Sequence, residues 1–228
     1  MIRSGIAAVL ALAISVCAAP AVADTVTYSG YNLTNGKNVT ITSPITATVG
    51  AGRIVLDNVK INGIDSADIN AWCIDLHNSL SGMSTYQFGS LTDAGVANKL
   101  TALLNGAELS ALDLTSGNNS AALQVAIWKV VNPTYTMSTS GNGGLIDSLS
   151  NTFLGYVNDA NNGVWKASNT VALVSLDPVV PNSTQRLVTL IPNPGGNNNT
   201  ATPEPASMAL VGVGLLGIAM ARRRRNAR

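Results

Sequence analysis

Few side chains in this 228-residue chain have the type and spacing to do covalent chemistry. There are two cysteines, Cys17 and Cys73, and one histidine, His77. Cys17 follows an apolar run, Ile6 to Val16, that begins behind Arg3 and leads to Ala21-Val22-Ala23. A basic start, a short apolar stretch and an A-x-A site form a secretory signal peptide, residues 1–23, cut before Asp24. Val16 is too bulky for the small residue wanted before a lipidated cysteine, so Cys17 leaves with the signal. Cys73 then stands alone in an exported domain. Cysteines in an oxidising compartment usually pair, so a leftover one marks intermolecular pairing, a reactive thiol or another bond. The plain alternative is a buried cysteine acting as a small hydrophobe.

The neighbours of Cys73 narrow these options. It sits in Trp72-Cys73-Ile74-Asp75-Leu76, among bulky apolar side chains that argue for partial burial. A thiol hydrolase draws its Cys and His from distant segments that meet across a cleft, whereas His77 is only four residues away and no oxyanion motif follows. One Cys, one His and scattered aspartates cannot close a zinc shell. Asp57, Asp65, Asp68 and Asp75 lack the central Gly and final Glu of a calcium loop and read as a solvated surface. The second distinctive segment is Leu123-Gln124-Val125-Ala126-Ile127-Trp128, a helical run apolar on most faces with one Gln among its hydrophobes. A buried amide left without partners costs about 1–3 kcal/mol, so Gln124 either faces solvent, caps a loop or has a specific partner.

Cys73-Ile74-Asp75 and Gln124-Val125-Ala126-Ile127-Trp128 together resemble the two signature motifs of bacterial thioester domains. In these surface-adhesin modules a Cys and a Gln side chain join in an internal thioester. The family places an aromatic residue or Leu before the Cys, here Trp72, and a Gln-x-Ala-Ile-Trp run some tens of residues later. The resemblance implies that Cys73 and Gln124 form the bond. The Cys73 thiolate would attack the Gln124 amide and expel ammonia, and Trp72, Ile127 and Trp128 would shield the acyl group from water. An amine or hydroxyl of a surface or matrix partner would then displace the thiol and become joined through Gln124, a nucleophilic acyl transfer carried out once and without turnover. A polar group that orients the site would help, with Asp75 and His77 as candidates. On this reading the protein is not an enzyme and needs no cofactor.

The elements that must position these residues are β and α in separate stretches. Thr25-Val26-Thr27-Tyr28, Asn38 to Thr42, Ile45 to Val49 and Ile54-Val55-Leu56 are β-branched runs divided by Asn35-Gly36 and Gly50-Ala51-Gly52, the pattern of strands and tight turns. Ala94, Ala97, Leu100, Leu103 and Leu104 recur at helical spacing. Ser120 to Val131 predicts a second helix, with Ser120 or Asn119 as N-cap and Asn132-Pro133 as stop. Leu145, Leu149, Phe153, Tyr156 and Val157 predict a third. Strand signals return at 171–174 and 186–190. The expected fold is α+β, a β-rich, sandwich-like subdomain interrupted by a helical block, spanning residues 24–191.

The composition fits an exported domain. The chain is 46% hydrophobic and only 11% charged, too apolar for disorder and too weakly charged for a nucleic-acid binder. Six of its thirteen basic residues, Arg3, Arg222 to Arg225 and Arg228, lie at the two ends; residues 24–203 hold seven Lys/Arg against eleven Asp/Glu and are mildly acidic. Residues 192–202, rich in Asn, Gly and Pro, read as a flexible linker. Next come Pro203-Glu204-Pro205, an apolar segment 206–221 and four arginines. Sixteen helical residues rise about 24 Å, short of the roughly 30 Å hydrocarbon core, and the arginines favour a cytoplasmic C-terminus. Residues 203–225 resemble the PEP-CTERM sorting signal of Gram-negative bacteria. That resemblance implies transient anchoring in the inner membrane by a transmembrane helix, cleavage near Pro203-Glu204-Pro205 by an exosortase-type enzyme, and delivery to the cell surface or extracellular matrix. An ordinary tail anchor is the alternative for the tail. For the whole protein, the alternative to a thioester adhesin is a non-reactive matrix protein of a biofilm.

Overall fold

Short β-branched segments alternate their side chains between core and solvent. In β1 (Thr25–Tyr28), Val26 and Tyr28 are fully buried while their neighbours are half-exposed, the two-residue period of a strand with one face on the core. β3 (Lys37–Ser43) buries Val39 and Ile41 in the same way and pairs with β4 (Ala47–Ala51) in a hairpin with Val39 opposite Val49. β6 (Lys60–Ile61) and β7 (Ile64–Asp65) are joined by Asn62-Gly63, both left-handed with φ of 52° and 80°. That is the mirror-type turn whose twist matches two antiparallel strands, and it favours Asn-Gly because β-carbons crowd a positive φ.

The structure, a computed structural model, describes residues 24–33, 35–110, 112–138, 144–160 and 171–192. They belong to one compact unit, Ala23–Asn198; the other, Met1–Val22 with Asn199–Arg228, contains no described residue. The expected signal peptide, the linker beyond Pro192 and the sorting signal with its apolar segment 206–221 lie outside the described residues. Among the described residues, no helix is long and apolar enough to cross a membrane.

The remaining strands are β2 (Gly30–Leu33), β5 (Ile54–Asp57), β8 (Ile69–Cys73), β9 (Ser84–Gly89), β10 (Thr136–Ser138), β11 (Val171–Pro178) and β12 (Leu187–Pro192). A curled sheet of nine runs in the order β2-β5-β8-β12-β11-β9-β1-β6-β7, and a second sheet is β10-β3-β4. The pairings are antiparallel throughout the described ladders. Between β9 and β11 the chain forms α1 (Ala94–Leu109), α2 (Gly117–Val131) and α3 (Leu145–Ala160), with β10 between the last two. The fold is therefore mostly β with a helical block inserted, as the sequence pattern predicts.

Local chemistry sets the helix ends. Asp93 caps α1, its carboxylate accepting from the N–H groups of Gly95 and Val96 at 2.8 and 3.0 Å, donors that otherwise have no partner in a first turn. The expected N-cap of α2 is corrected: the cap residue is Ser116, four residues before Ser120. Ser120 is buried and its hydroxyl accepts from the Arg53 main-chain N–H at 2.6 Å, while the Asn119 side chain donates to the Asp113 carbonyl. Ten of the fifteen α2 residues are buried, because α1, α3, β3, β4 and β8 all pack against it. A helix apolar on most faces needs such an enclosed place. Gly106 lets α1 and α3 approach closely, since a β-carbon there would stand 2.6 Å from the Tyr156 ring.

Candidate functional site

Cys73 is the last residue of β8. On one side β5 pairs with β8 only as far as Ala71, and on the other β12 places Leu187 opposite Cys73. Beyond the end of β5, the main chain of Cys73 has a free hydrogen-bonding edge, and buried groups of this kind require partners. The side chain of Gln124 takes that edge. Its carbonyl oxygen Oε1 accepts from the Cys73 N–H at 3.0 Å, and its Nε2 donates to the Cys73 carbonyl at 2.7 Å. The amide thus acts as one more rung of the ladder, supplied from α2 across 51 residues. Cys73 is 4% exposed and Gln124 1%, so the specific-partner option holds and neither faces solvent.

Immediately around this contact the surroundings are buried and largely apolar. Ile127 and Trp128, three and four residues after Gln124, fall on the same side of α2 by helical spacing, and both are buried. Trp72 is also buried, but strand alternation turns it to the face of β8 opposite Cys73. There it lines a cavity of about 830 Å³ with Leu104 and Asn105 of α1. The Cys73 thiol donates to the main-chain carbonyl of Asp75 at 2.7 Å. Burial pushes its pKa up to about 12, with the Asp75 main chain and the Trp128 indole pulling the other way.

Asp75 and His77 lie where the chain turns back to solvent. The Asp75 carboxylate accepts from the His77 N–H at 2.8 Å and from Asn78 Nδ2 at 2.6 Å, closing its own turn. The group of Asp75 that touches sulfur is its main chain. His77 is exposed, with its Nε2 3.3 Å from the Tyr135 hydroxyl. These residues wall an open groove of about 360 Å³, completed by Leu91, Asp93, Val96 and Asn132 among others. Cys73 and Gln124 line neither this groove nor the larger cavity. Ile74 joins the groove to the buried contact. Tyr135 has no signal in the sequence, since 58 residues separate it from His77. Among the described residues, no group of three or more His, Cys, Asp or Glu side chains is placed to hold a metal ion.

Comparison with known proteins adds two kinds of finding. Residues 201–225 match the PEP-CTERM protein-sorting motif. That motif implies processing by an exosortase-type enzyme, with export and sorting to the cell surface or outside the cell in Gram-negative bacteria. No curated protein sequence matches the chain. Among solved structures, the chain is similar to the N-terminal domain of the Streptococcus pyogenes pilus tip adhesin Cpa. Identity is 13% and the TM-score 0.46, over 74% of this chain and 94% of that one. It is also similar to the N-terminal thioester domain of fibronectin-binding protein SfbI from Streptococcus pyogenes, at 14% identity and a TM-score of 0.40, over 72% of this chain and 91% of that one.

Proposed function

We propose that this exported protein carries an internal thioester between Cys73 and Gln124 and uses it once, in surface adhesion or matrix assembly, to attach covalently to an amine or hydroxyl of a partner. The observation that carries this reading is the double hydrogen bond between the Gln124 amide and the Cys73 main chain inside a buried contact. It sets the Gln124 amide against the main chain of the residue that carries the thiol, and proximity of this kind supplies much of an intramolecular reaction's advantage. The sorting motif supports the surface setting. Cleavage near Pro203-Glu204-Pro205 and passing anchorage in the inner membrane belong to the same reading. A thioester consumed by its first partner turns nothing over, so the protein is not an enzyme.

A non-reactive matrix protein is the second reading, and one observation favours it: the Gln124 amide is already satisfied and the buried Cys73 thiol keeps its proton. The two readings differ by one ammonia. The intact mass of the purified full-length chain, with peptide mapping before and after methylamine, separates them. A mass short by one ammonia, with methylamine then mapping to Gln124, is the expected result. A full mass with Cys73 titrating as a free thiol leaves the matrix protein.

A further inference from the structure

The buried site contains one donor without an acceptor. Trp128 is 1% exposed, and its indole Nε1–H has no hydrogen-bond partner. An orphaned buried donor costs about 1–3 kcal/mol, so fully satisfied neighbours would ordinarily be expected in so well packed a helix. Trp128 sits one helical turn beyond Gln124, on the same side of α2. Gln124 in turn is fixed against Cys73 by its two bonds. The Trp128 side chain favours the Cys73 thiolate, against the larger effect of burial.

We propose that the Trp128 indole N–H is a catalytic donor to the Cys73 sulfur, waiting for the charge that sulfur carries when the thioester forms or opens. The inference rests on the thioester reading above and deepens it, turning Trp128 from a shield into a participant. In formation, the sulfur attacks Cδ of Gln124, a C–S bond forms and the C–N bond to Nε2 breaks. The proton that leaves sulfur ends on Nε2, and ammonia departs. The Cys73 main-chain N–H, already 3.0 Å from Oε1, holds the oxygen as it becomes an oxyanion. In opening, an incoming amine attacks the same carbon, the C–S bond breaks, and the amine's proton is taken up by the departing thiolate. No redox step is involved. Two preorganised donors, one for oxygen and one for sulfur, are the kind of arrangement that stabilises developing charge in a dry site.

The test is Trp128→Phe, which keeps a ring and removes the donor. In the full-length chain, methylamine opening is followed by release of free thiol, and loss of one such donor should slow it on the order of tenfold or more. The opened protein then gives a second reading. The pH midpoint for alkylation of its freed Cys73 should move upward in Trp128→Phe, a shift that a packing defect admitting water would not produce. Should that variant fail to fold, benzothienylalanine at position 128 keeps the bicyclic shape without an N–H and must show the same two changes. A wild-type bond that opens no faster than the variant's, with unchanged alkylation midpoints, overturns this role for Trp128 while leaving the thioester intact. A wild-type chain with no missing ammonia and no methylamine uptake overturns the role together with the thioester reading itself.

Discussion

Cys73 and His77 are four residues apart, yet they occupy opposite environments. Cys73 ends a strand beneath α2, with its main chain bonded to a glutamine and its thiol held protonated by burial. His77 projects into an open groove, where its ring meets a tyrosine and its N–H closes a turn on Asp75. The usual instinct assigns chemistry to the exposed histidine and packing to the buried cysteine. Geometry reverses that instinct. The groove residues satisfy one another, whereas the buried cluster holds a thiol, an amide bonded to the main chain of the same cysteine, and an indole donor without a partner. The change of environment takes place within Ile74 and Asp75, where the strand gives way to a turn.

The sharpest way to break this contrast is to remove one member of each cluster. Cys73→Ala or Gln124→Ala should abolish both the missing ammonia and methylamine uptake, while His77→Ala should leave both unchanged; intact mass decides it. Loss of the bond in His77→Ala would move the chemistry into the groove. Stability should show the next largest effect. Gln124→Ala strips partners from a buried N–H and a buried carbonyl, and should cost about 2–5 kcal/mol in urea unfolding. Cys73→Ala leaves those two bonds in place and should cost less.

Alkaline pH sharpens the comparison further. A thiol whose pKa rises from 9.0 to about 12 on folding holds its proton more tightly in the native state. The unfolded chain then loses that proton first, so stability falls as pH climbs from about 9 towards 12. This loss is expected after methylamine has freed Cys73, and not while sulfur is acylated. Urea melts at pH 8 and pH 10.5, before and after treatment, measure it. Ser120→Ala removes the hydroxyl that receives the Arg53 N–H and should cost about 1 kcal/mol by the same melts. Tyr135→Phe in the groove should stay within about 0.5 kcal/mol of wild type. A larger effect there would show that the groove is built more tightly than its exposure implies.

The sequence makes the repeating elements readable because their periods are local. The three helices appear from apolar spacing, and β1, β3 and β5 from β-branched runs. β8, which carries Cys73, is hidden: Ile69-Asn70-Ala71-Trp72-Cys73 has an Asn and an Ala in the middle and follows a stretch of aspartates, so it looks like a loop. Its strand character comes from its partners, β5 and, more than a hundred residues later, β12. Ser120 misleads for a related reason. Its type is that of a helix cap, but its place inside the helix is set by a partner at Arg53, 67 residues away. The pairing of Cys73 with Gln124 is readable only as a resemblance between motifs. Nothing local in either segment reveals that a glutamine side chain completes a sheet ladder, or that the indole beside it lacks an acceptor.

β12 lies near the middle of the nine-stranded sheet, between β11 and β8, and is the last described strand before the chain runs on towards its sorting motif. Tension applied from that end meets the β11 ladder first and reaches the two pairs with β8, Leu187 opposite Cys73 and Val188 opposite Trp72, last. A partner joined through Gln124 would take that pull by way of α2, which packs against β8. A surface protein tugged by flow through its C-terminal end would then be loaded last at the strand that carries Cys73.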